Sequence, residues 1–369
     1  MQLPEIQRRK TRSVTVASGS AAPLTIGGGA PVSVQSMTNT PTADAAATIA
    51  QVRELAAAGA DLVRVAVPHP ADTAALRQII AASPVPIVAD VHFHFARAIE
   101  AIDAGVAKIR LNPGNIADRD QVRRVIDAAA AAGVAIRVGV NEGSVVDRAD
   151  TPQRAAQLAQ PLAELMADKL AEYLDIFHAA GFTNLVLSAK SHDAFTTVAV
   201  NRLMAQRWDY PLHLGVTHAG TPASGAIRSA AALGTLLAEG IGDTIRISYA
   251  GNPVEEVRAA VELLCSLRLR PRKGVDLIAC PTCGRAMMDI AAVAEQVRAA
   301  LADVTAPLTV AVMGCVVNGP GEADAADVAL CAGKDKAVLY VRGRKVRTIE
   351  TAGMVAAVVA EVDKLIGNR

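Results

Sequence analysis

Eight times between residues 31 and 266, a short run rich in β-branched residues gives way to a stretch with helical periodicity. The β runs are PVSVQSM (31–37), LVRVAVP (62–68), PIVADVHF (86–93), AKIRLNP (107–113), AIRVGVN (135–141), NLVLSAK (184–190), PLHLGVT (211–217) and DTIRISYA (243–250). Alanine-rich helical segments lie between them, among them 43–58, 94–104, 118–132, 161–180 and 226–239. Alternation of this kind builds a parallel sheet with helices on its outside. Eight units predict a closed (β/α)8 TIM barrel. An open doubly wound sheet is the rival, but no GxGxxG turn follows the first run.

The barrel does not use up the chain, which has 369 residues. The stretch LRLRPRKG (267–274) breaks the pattern with Pro, Gly and basic residues and is expected to be a linker. The predicted organisation is a barrel over 1–266, the linker 267–274 and a small α/β domain over 275–369. In that last domain the strands VDLIAC and LTVAVMG flank a helix across 286–301. A hairpin through AVLYVRGRKVRTI and a helix at 351–366 follow. Residues 1–30 read as two short strands with the Gly-rich turn IGGGAP, covering the barrel bottom. The loop 141–154 is longer and more polar than its peers.

The formal net charge of +1 gives no global field for nucleic acid or a membrane surface. No run of apolar residues is long enough to span a bilayer. The N-terminal MQLPEIQRRKTRS has no apolar signal core, so a cytoplasmic protein is expected. Five cysteines in such a chain point to metal or redox work rather than a disulfide framework.

Chemistry in a TIM barrel gathers where the strands end. Gln35 stands on the first strand, Arg64 on the second, and Asp90 and His92 on the third. The fourth carries Arg110 and Asn112, and the fifth Arg137 and Asn141, each pair on one strand face. Lys190 ends the sixth, Thr217 and His218 follow the seventh, and Arg246 and Ser248 lie on the eighth. A single strand arginine reads equally well as an outward ion pair with a helix. Five strands each presenting a cation do not, because uncompensated buried cations repel one another. A polyanion such as a diphosphate accounts for all five, since guanidinium forks grip phosphate oxygens. Asp90 and His92 are expected to orient those groups.

Beyond the barrel, CPTCGR (280–285) and GCVVNGPGEAD (314–324) set Cys280, Cys283, Cys315 and Glu322 apart. CPTCG alone is half of a zinc ribbon, but the next cysteines, Cys315 and Cys331, are unpaired. Two readings stay open: zinc held by Cys280, Cys283, Cys315 and Cys331, or an iron–sulfur cluster on three cysteines with a carboxylate at the fourth iron. Cys265 and Cys331 are expected to be dispensable in the second. A zinc-stabilised barrel aldolase using Lys190 as Schiff-base amine is the rival enzyme class.

The motifs VQSMTNT, LVRVAVP, VADVHF, KIRLNPGN, IRVGVN, PLHLGVT, GIGDTIRIS, CPTCGR and GCVVNGPGEA, in this order, carry a resemblance over nearly the whole chain. The sequence resembles the 4-hydroxy-3-methylbut-2-enyl diphosphate synthases of the non-mevalonate isoprenoid pathway, in their two-domain bacterial form. The resemblance implies a barrel that binds 2-C-methyl-D-erythritol 2,4-cyclodiphosphate and a C-terminal domain with a [4Fe–4S] cluster. It also implies two-electron reductive ring opening with loss of water, and electrons from flavodoxin or ferredoxin. The implied cluster ligands are Cys280, Cys283, Cys315 and Glu322. The implied substrate contacts are Arg64, His92, Arg110, Asn112, Arg137, Asn141, Lys190, Arg246 and Ser248, and Gln35 on the first strand is expected to join them. Glu322 and position 218 are the implied catalytic positions. Where the family has Glu in TEAG, this chain has THAG with His218. Either an imidazole donates the proton here, or the chain is an impaired, diphosphate-binding homologue.

Chain direction adds an expectation about assembly. The helix 254–266 returns from the mouth to the barrel bottom, spanning about 20 Å at 1.5 Å per residue. Eight linker residues then reach at most roughly 28 Å, too short to bring the last domain round to its own mouth. A head-to-tail homodimer is therefore expected, as the resemblance also implies.

Overall fold

The computed structural model describes residues 5–91, 94–112, 118–145, 157, 160–315 and 319–367, excluding the side chain of Glu322. They form two compact units, residues 1–270 and 271–369.

In the first unit eight parallel strands alternate with helices. The strands are β3 (Ser33–Met37), β4 (Leu62–Ala66), β5 (Ile87–Asp90), β6 (Lys108–Leu111), β7 (Ala135–Asn141), β8 (Leu185–Lys190), β9 (His213–Leu214) and β10 (Thr244–Ile245). Their order is β8-β7-β6-β5-β4-β3-β10-β9, and a parallel bridge between Leu187 and Leu212 brings the two ends together. The barrel is thus the expected one. The last two strands are shorter than their β-rich runs suggest. Only two residues of each are in regular ladder, though the Arg246 N–H still donates to the Leu214 carbonyl beyond it.

Helix boundaries follow local chemistry. Asp44, Asp193 and Asn252 cap the helices Ala45–Ala57, Ala194–Arg207 and Pro253–Ser266 by accepting backbone N–H bonds. Gly133 ends Arg119–Ala132 in the left-handed conformation that glycine adopts cheaply. Strand alternation then divides the barrel wall. Val63, Val65, Ile87, Ala89, Ile109, Leu111, Ile136 and Val138 face outward into the main apolar core against the helices. The intervening positions face the barrel axis, and many are polar.

Register and the one-residue-per-strand stagger of an eight-stranded barrel group these inward residues into layers of four. From the mouth down, the layers are Ala66, Asn112, Lys190, Ser248; Met37, Asp90, Gly139, Gly215; Arg64, Arg110, Ser188, Arg246; Gln35, Val88, Arg137, His213; and Leu62, Lys108, Val186, Thr244. Below them an antiparallel hairpin, β1 (Ser13–Val16) and β2 (Leu24–Gly27), closes the barrel. Val14, Val16 and Ile26 pack on Leu62, Val88, Ala107, Ala135 and Val186. The two N-terminal strands are as expected, but residues 17–23 join them and the glycine run follows β2. Residues 146–154 of the long loop lie outside the described residues.

The second unit is a five-stranded sheet, β11 (Val275–Ala279), β12 (Leu308–Met313), β13 (Val328–Ala332), β14 (Lys336–Val341) and β15 (Arg344–Glu350), in sequential order. The first three strands are parallel and the last two antiparallel. The helices Ile290–Ala300 and Met354–Gly367 cover one face through Val297, Val310, Leu330, Leu339 and Val358. The other face carries a smaller cluster of Ala311, Met313, Ala323, Ala329 and Cys331. Among the described residues no helix is long and apolar enough to cross a membrane.

Candidate active site

The barrel mouth opens into a cavity lined by Arg64, Asp90, Arg110, Arg137, Asn141, Lys190, Val216, Thr217, Arg246 and Ser248. All five expected cations therefore converge. The layering explains the space between them: two of the four positions in the second layer are glycines. A Cβ on Gly215 would stand 2.9 Å from Lys190 Nζ, and one on Gly139 2.2 Å from Ser188 Oγ. Any other residue there would fill the site or displace its ligating side chains.

Carboxylates balance only part of this charge. Asp90 lies 3.6 Å from Arg64 and 3.5 Å from Arg110, as an orienting partner should. Arg246 lies 3.5 Å from Glu256, whose other oxygen accepts the Tyr249 N–H at 2.9 Å. Met37 offers its sulfur to Arg64 and Arg246. Arg137 donates to Ser188 at 2.8 Å, while its Nε and second terminal nitrogen have no hydrogen-bond partner among the described residues. The electrostatics follow. Burial, then Arg64 and Arg110, hold Arg137 well below the ordinary guanidinium range. Burial, then Arg137 and Arg64, do the same to Lys190. Arg246 is pushed down to about 10, chiefly by burial. The site is strained toward neutrality and short of anions, the inverse of what a polyanion would supply.

Other expected residues fall elsewhere. Gln35 does not line the cavity. It stands two layers below Asp90, buried, with neither amide atom hydrogen-bonded among the described residues. It lies mid-strand, and the nearest that β3 comes to the cavity is the sulfur that Met37 offers to Arg64 and Arg246 of the lining. Asn112 is buried at the top of β6 and is not part of the lining. His92 lies outside the described residues. His218 is exposed, with a left-handed backbone at φ 50°. Its Nδ1 lies 3.3 Å from the hydroxyl of Thr217, which does line the cavity. His218 is thus a rim residue rather than a wall residue.

Sequence reasoning missed Glu256, the counter-charge to Arg246, and the buried bases Lys108 and His213. His213 Nε2 is 3.3 Å from Lys190 Nζ. The available signal was parity: Lys108 precedes Arg110 by two and so shares its face.

In the second unit, Cys280 follows β11 and Cys315 follows β12, both at the C-terminal ends of parallel strands. Cys280 Sγ accepts the Gly314 N–H at 3.0 Å. A side chain on Gly314 would begin 3.3 Å from that sulfur. Cys331 is buried in β13, and its thiol is pushed up to about 11 by burial first and then by Cys315 and Cys280. Cys283 is exposed. The structure thus brings Cys280 and Cys315 near each other and leaves Cys283 outward. Among the described residues no three His, Cys, Asp or Glu side chains converge as a metal site. The donor set nevertheless suits a soft metal centre: thiols on loops, a backbone N–H directed at one sulfur and a glycine that leaves it room.

The family model of the GcpE TIM-barrel domain matches residues 11–261, and that of the GcpE C-terminal domain matches residues 276–364. The chain belongs to the GcpE family. Three GcpE relatives are named 4-hydroxy-3-methylbut-2-en-1-yl diphosphate synthase (flavodoxin). The one from Geobacter sulfurreducens is 46% identical over 98% of this chain and 99% of its own. That from Bifidobacterium longum is 47% identical over 93% and 82%. That from Acidothermus cellulolyticus is 45% identical over 98% and 90%. The GcpE barrel match contains every cavity residue, and the GcpE C-terminal match contains Cys280, Cys283, Cys315 and Glu322.

The opposition between charge and burial gives a two-sided expectation. Arg137→Met should raise the thermal midpoint of the ligand-free protein, since it removes a buried cation with unmet donors. The same change should weaken binding of inorganic pyrophosphate by roughly 1.5–3 kcal/mol, the scale of a hydrogen bond to a charged group. Calorimetry and a binding titration check both halves. A lower midpoint with unchanged affinity would make Arg137 a wall residue.

Proposed function

We propose that this chain catalyses the reaction its relatives are named for. It would open the ring of 2-C-methyl-D-erythritol 2,4-cyclodiphosphate reductively. Two electrons enter, one water leaves, and (E)-4-hydroxy-3-methylbut-2-enyl diphosphate forms. The observation that carries this reading is the convergence of five cations on one cavity with Asp90 among them and Glu256 paired to Arg246. Arg64, Arg110, Arg137, Lys190 and Arg246 hold the diphosphate. Asn141 and Ser248, at the cavity wall, orient the carbon skeleton, and Asn112 and His92 complete the polar shell. Gln35 shares the layer of Arg137 and is proposed to meet the ligand only indirectly. The division of labour is a barrel over 1–266, a linker over 267–274 and a cluster domain over 275–369, in a cytoplasmic enzyme. A catalytically impaired homologue is not favoured over this reading, since it draws on position 218 alone.

A [4Fe–4S] cluster held by Cys280, Cys283, Cys315 and Glu322 would supply the electrons singly, received from flavodoxin or ferredoxin. Anaerobically prepared protein should carry about four irons per chain and turn over the cyclodiphosphate with reduced flavodoxin. Cys280→Ser, Cys283→Ser and Cys315→Ser should each lose the iron, while Cys331→Ala and Cys265→Ala keep it. Stoichiometric zinc with no iron would sink the redox reading.

His218 is the proposed proton donor to the departing hydroxyl. It is next to Thr217 of the cavity wall, and a rim side chain can swing inward once substrate is seated. His218→Ala should lower turnover roughly 10²-fold, the scale of general acid catalysis, with iron content and substrate affinity kept. Equal turnover in parent and variant removes His218 from the mechanism.

We infer a head-to-tail homodimer from where the barrel unit ends. Arg270 pairs with Asp61 at 2.9 Å, and Asp61 immediately precedes β4 at the barrel bottom. The chain therefore leaves the barrel on the face opposite the cavity, and a partner's cluster domain is the one that serves it. Mixing Arg110→Ala protein with Cys280→Ser protein should restore activity through hybrid dimers. An active monomer in ultracentrifugation would rule the arrangement out.

A further inference from the structure

Two bases lie in the barrel below the arginine layer. Lys108 shares its layer with Leu62, Val186 and Thr244 and rests on the apolar hairpin plug. It is 0% exposed, and its Nζ has no hydrogen-bond partner among the described residues. His213, one layer higher with Gln35, Val88 and Arg137, is equally buried. Its Nε2 meets Lys190, and its Nδ1 has no partner among the described residues.

The largest charged influences on these two are basic, while Asp243 accepts the N–H of the preceding Leu212. Lys108 feels Arg137 of β7 and Arg64 of β4. His213 feels Lys190 of β8, Arg137 of β7, Lys108 of β6 and Arg64 of β4. Asp90, two layers above His213, faces Arg64 and Arg110. The hairpin below presents Val14, Val16 and Ile26. An ammonium at Lys108 would thus sit between a hydrocarbon floor and a cationic ceiling. Burial, followed by these neighbours, holds both groups well below their ordinary ranges.

We propose that Lys108 and His213 form a reserve tier of the anion site: neutral in the empty barrel, they become cationic when a polyanion settles on the arginines above, so that binding draws protons from solution. A bound diphosphate neutralises the field of Arg64, Arg137 and Lys190 that suppresses them. It also places negative charge within the same low-dielectric well, which favours the protonated forms. Linkage fixes the sign: a group whose pKa rises on binding takes up a proton between its free and bound values, and affinity falls as pH rises through that window. The tier rests on the proposed substrate, and the test separates the two. Each phosphorus of the cyclodiphosphate carries one strongly acidic hydroxyl, already ionised at neutral pH, so any protons counted are taken by the protein.

Titration calorimetry of the parent chain with the cyclodiphosphate, in several buffers of different ionisation enthalpy at mildly alkaline pH, should report net proton uptake. Lys108→Met should reduce the uptake by up to about one proton per site, and His213→Gln should reduce what remains. Nitrogen-15 NMR of the parent should move His213 from the neutral to the cationic imidazole on adding ligand, which decides the matter should a variant fail to fold. Binding without uptake, or uptake that both variants keep, overturns the tier and leaves the substrate assignment standing. No binding of the cyclodiphosphate overturns both.

Discussion

Like charges crowded into one low-dielectric well set the terms for the rest of this structure. Arg64, Arg110, Arg137, Lys190 and Arg246 share a cavity with Asp90, Glu256 pairs with Arg246 beside it, and all are largely removed from water. Such repulsion opposes folding, because water no longer screens it. The barrel shell tolerates it through what lies on the other side of each strand. Every inward cation alternates with an outward Val, Ile, Leu or Ala locked against a helix. The apolar hairpin plug closes the bottom and keeps the well from opening there. Stability resides in the outer layer and the candidate site in the inner one, separated by the thickness of a single strand.

The same arrangement is what a receptor for the proposed polyanion would need. Its donors are fixed in place before a ligand arrives, so little ordering entropy is lost on binding. The unmet nitrogens of Arg137 and the depressed basicity of its neighbours are the form the stored energy takes. Removing those charges would favour the empty fold, which is the familiar opposition between stability and activity at a functional site.

The second unit solves a different problem. Its sheet is apolar on both faces near the cysteines, and Cys280 and Cys315 each follow the end of a parallel strand. Cys280 is held by a backbone N–H, whereas Cys283 is exposed on the CPTCGR loop. Were the proposed cluster bound, its ligand bonds would themselves supply energy that orders such thiols.

The alternation of β-rich runs and helices settled the barrel from the sequence, since period and order are local properties that any parallel (β/α)8 chain must display. The five cations were legible for the same reason: parity along a strand fixes which side chains point together. The motifs of the last hundred residues set Cys280, Cys283, Cys315 and Glu322 apart as candidate ligands, of which the described residues bring Cys280 and Cys315 near each other and leave Cys283 exposed. Depth was not legible. Whether Gln35 reaches the cavity, or Lys108 and His213 lie beneath it, depends on barrel stagger, which no single strand encodes. The partnership of Arg246 with Glu256 joins a strand to the following helix, and its geometry exists only after packing. Nor could spacing reveal that Gly139 and Gly215 open the cavity, because their role depends on which side chains lie across from them. Sequence determined the elements and the faces they present; tertiary structure decided the heights at which those faces meet, because height is set by register between strands distant in the chain.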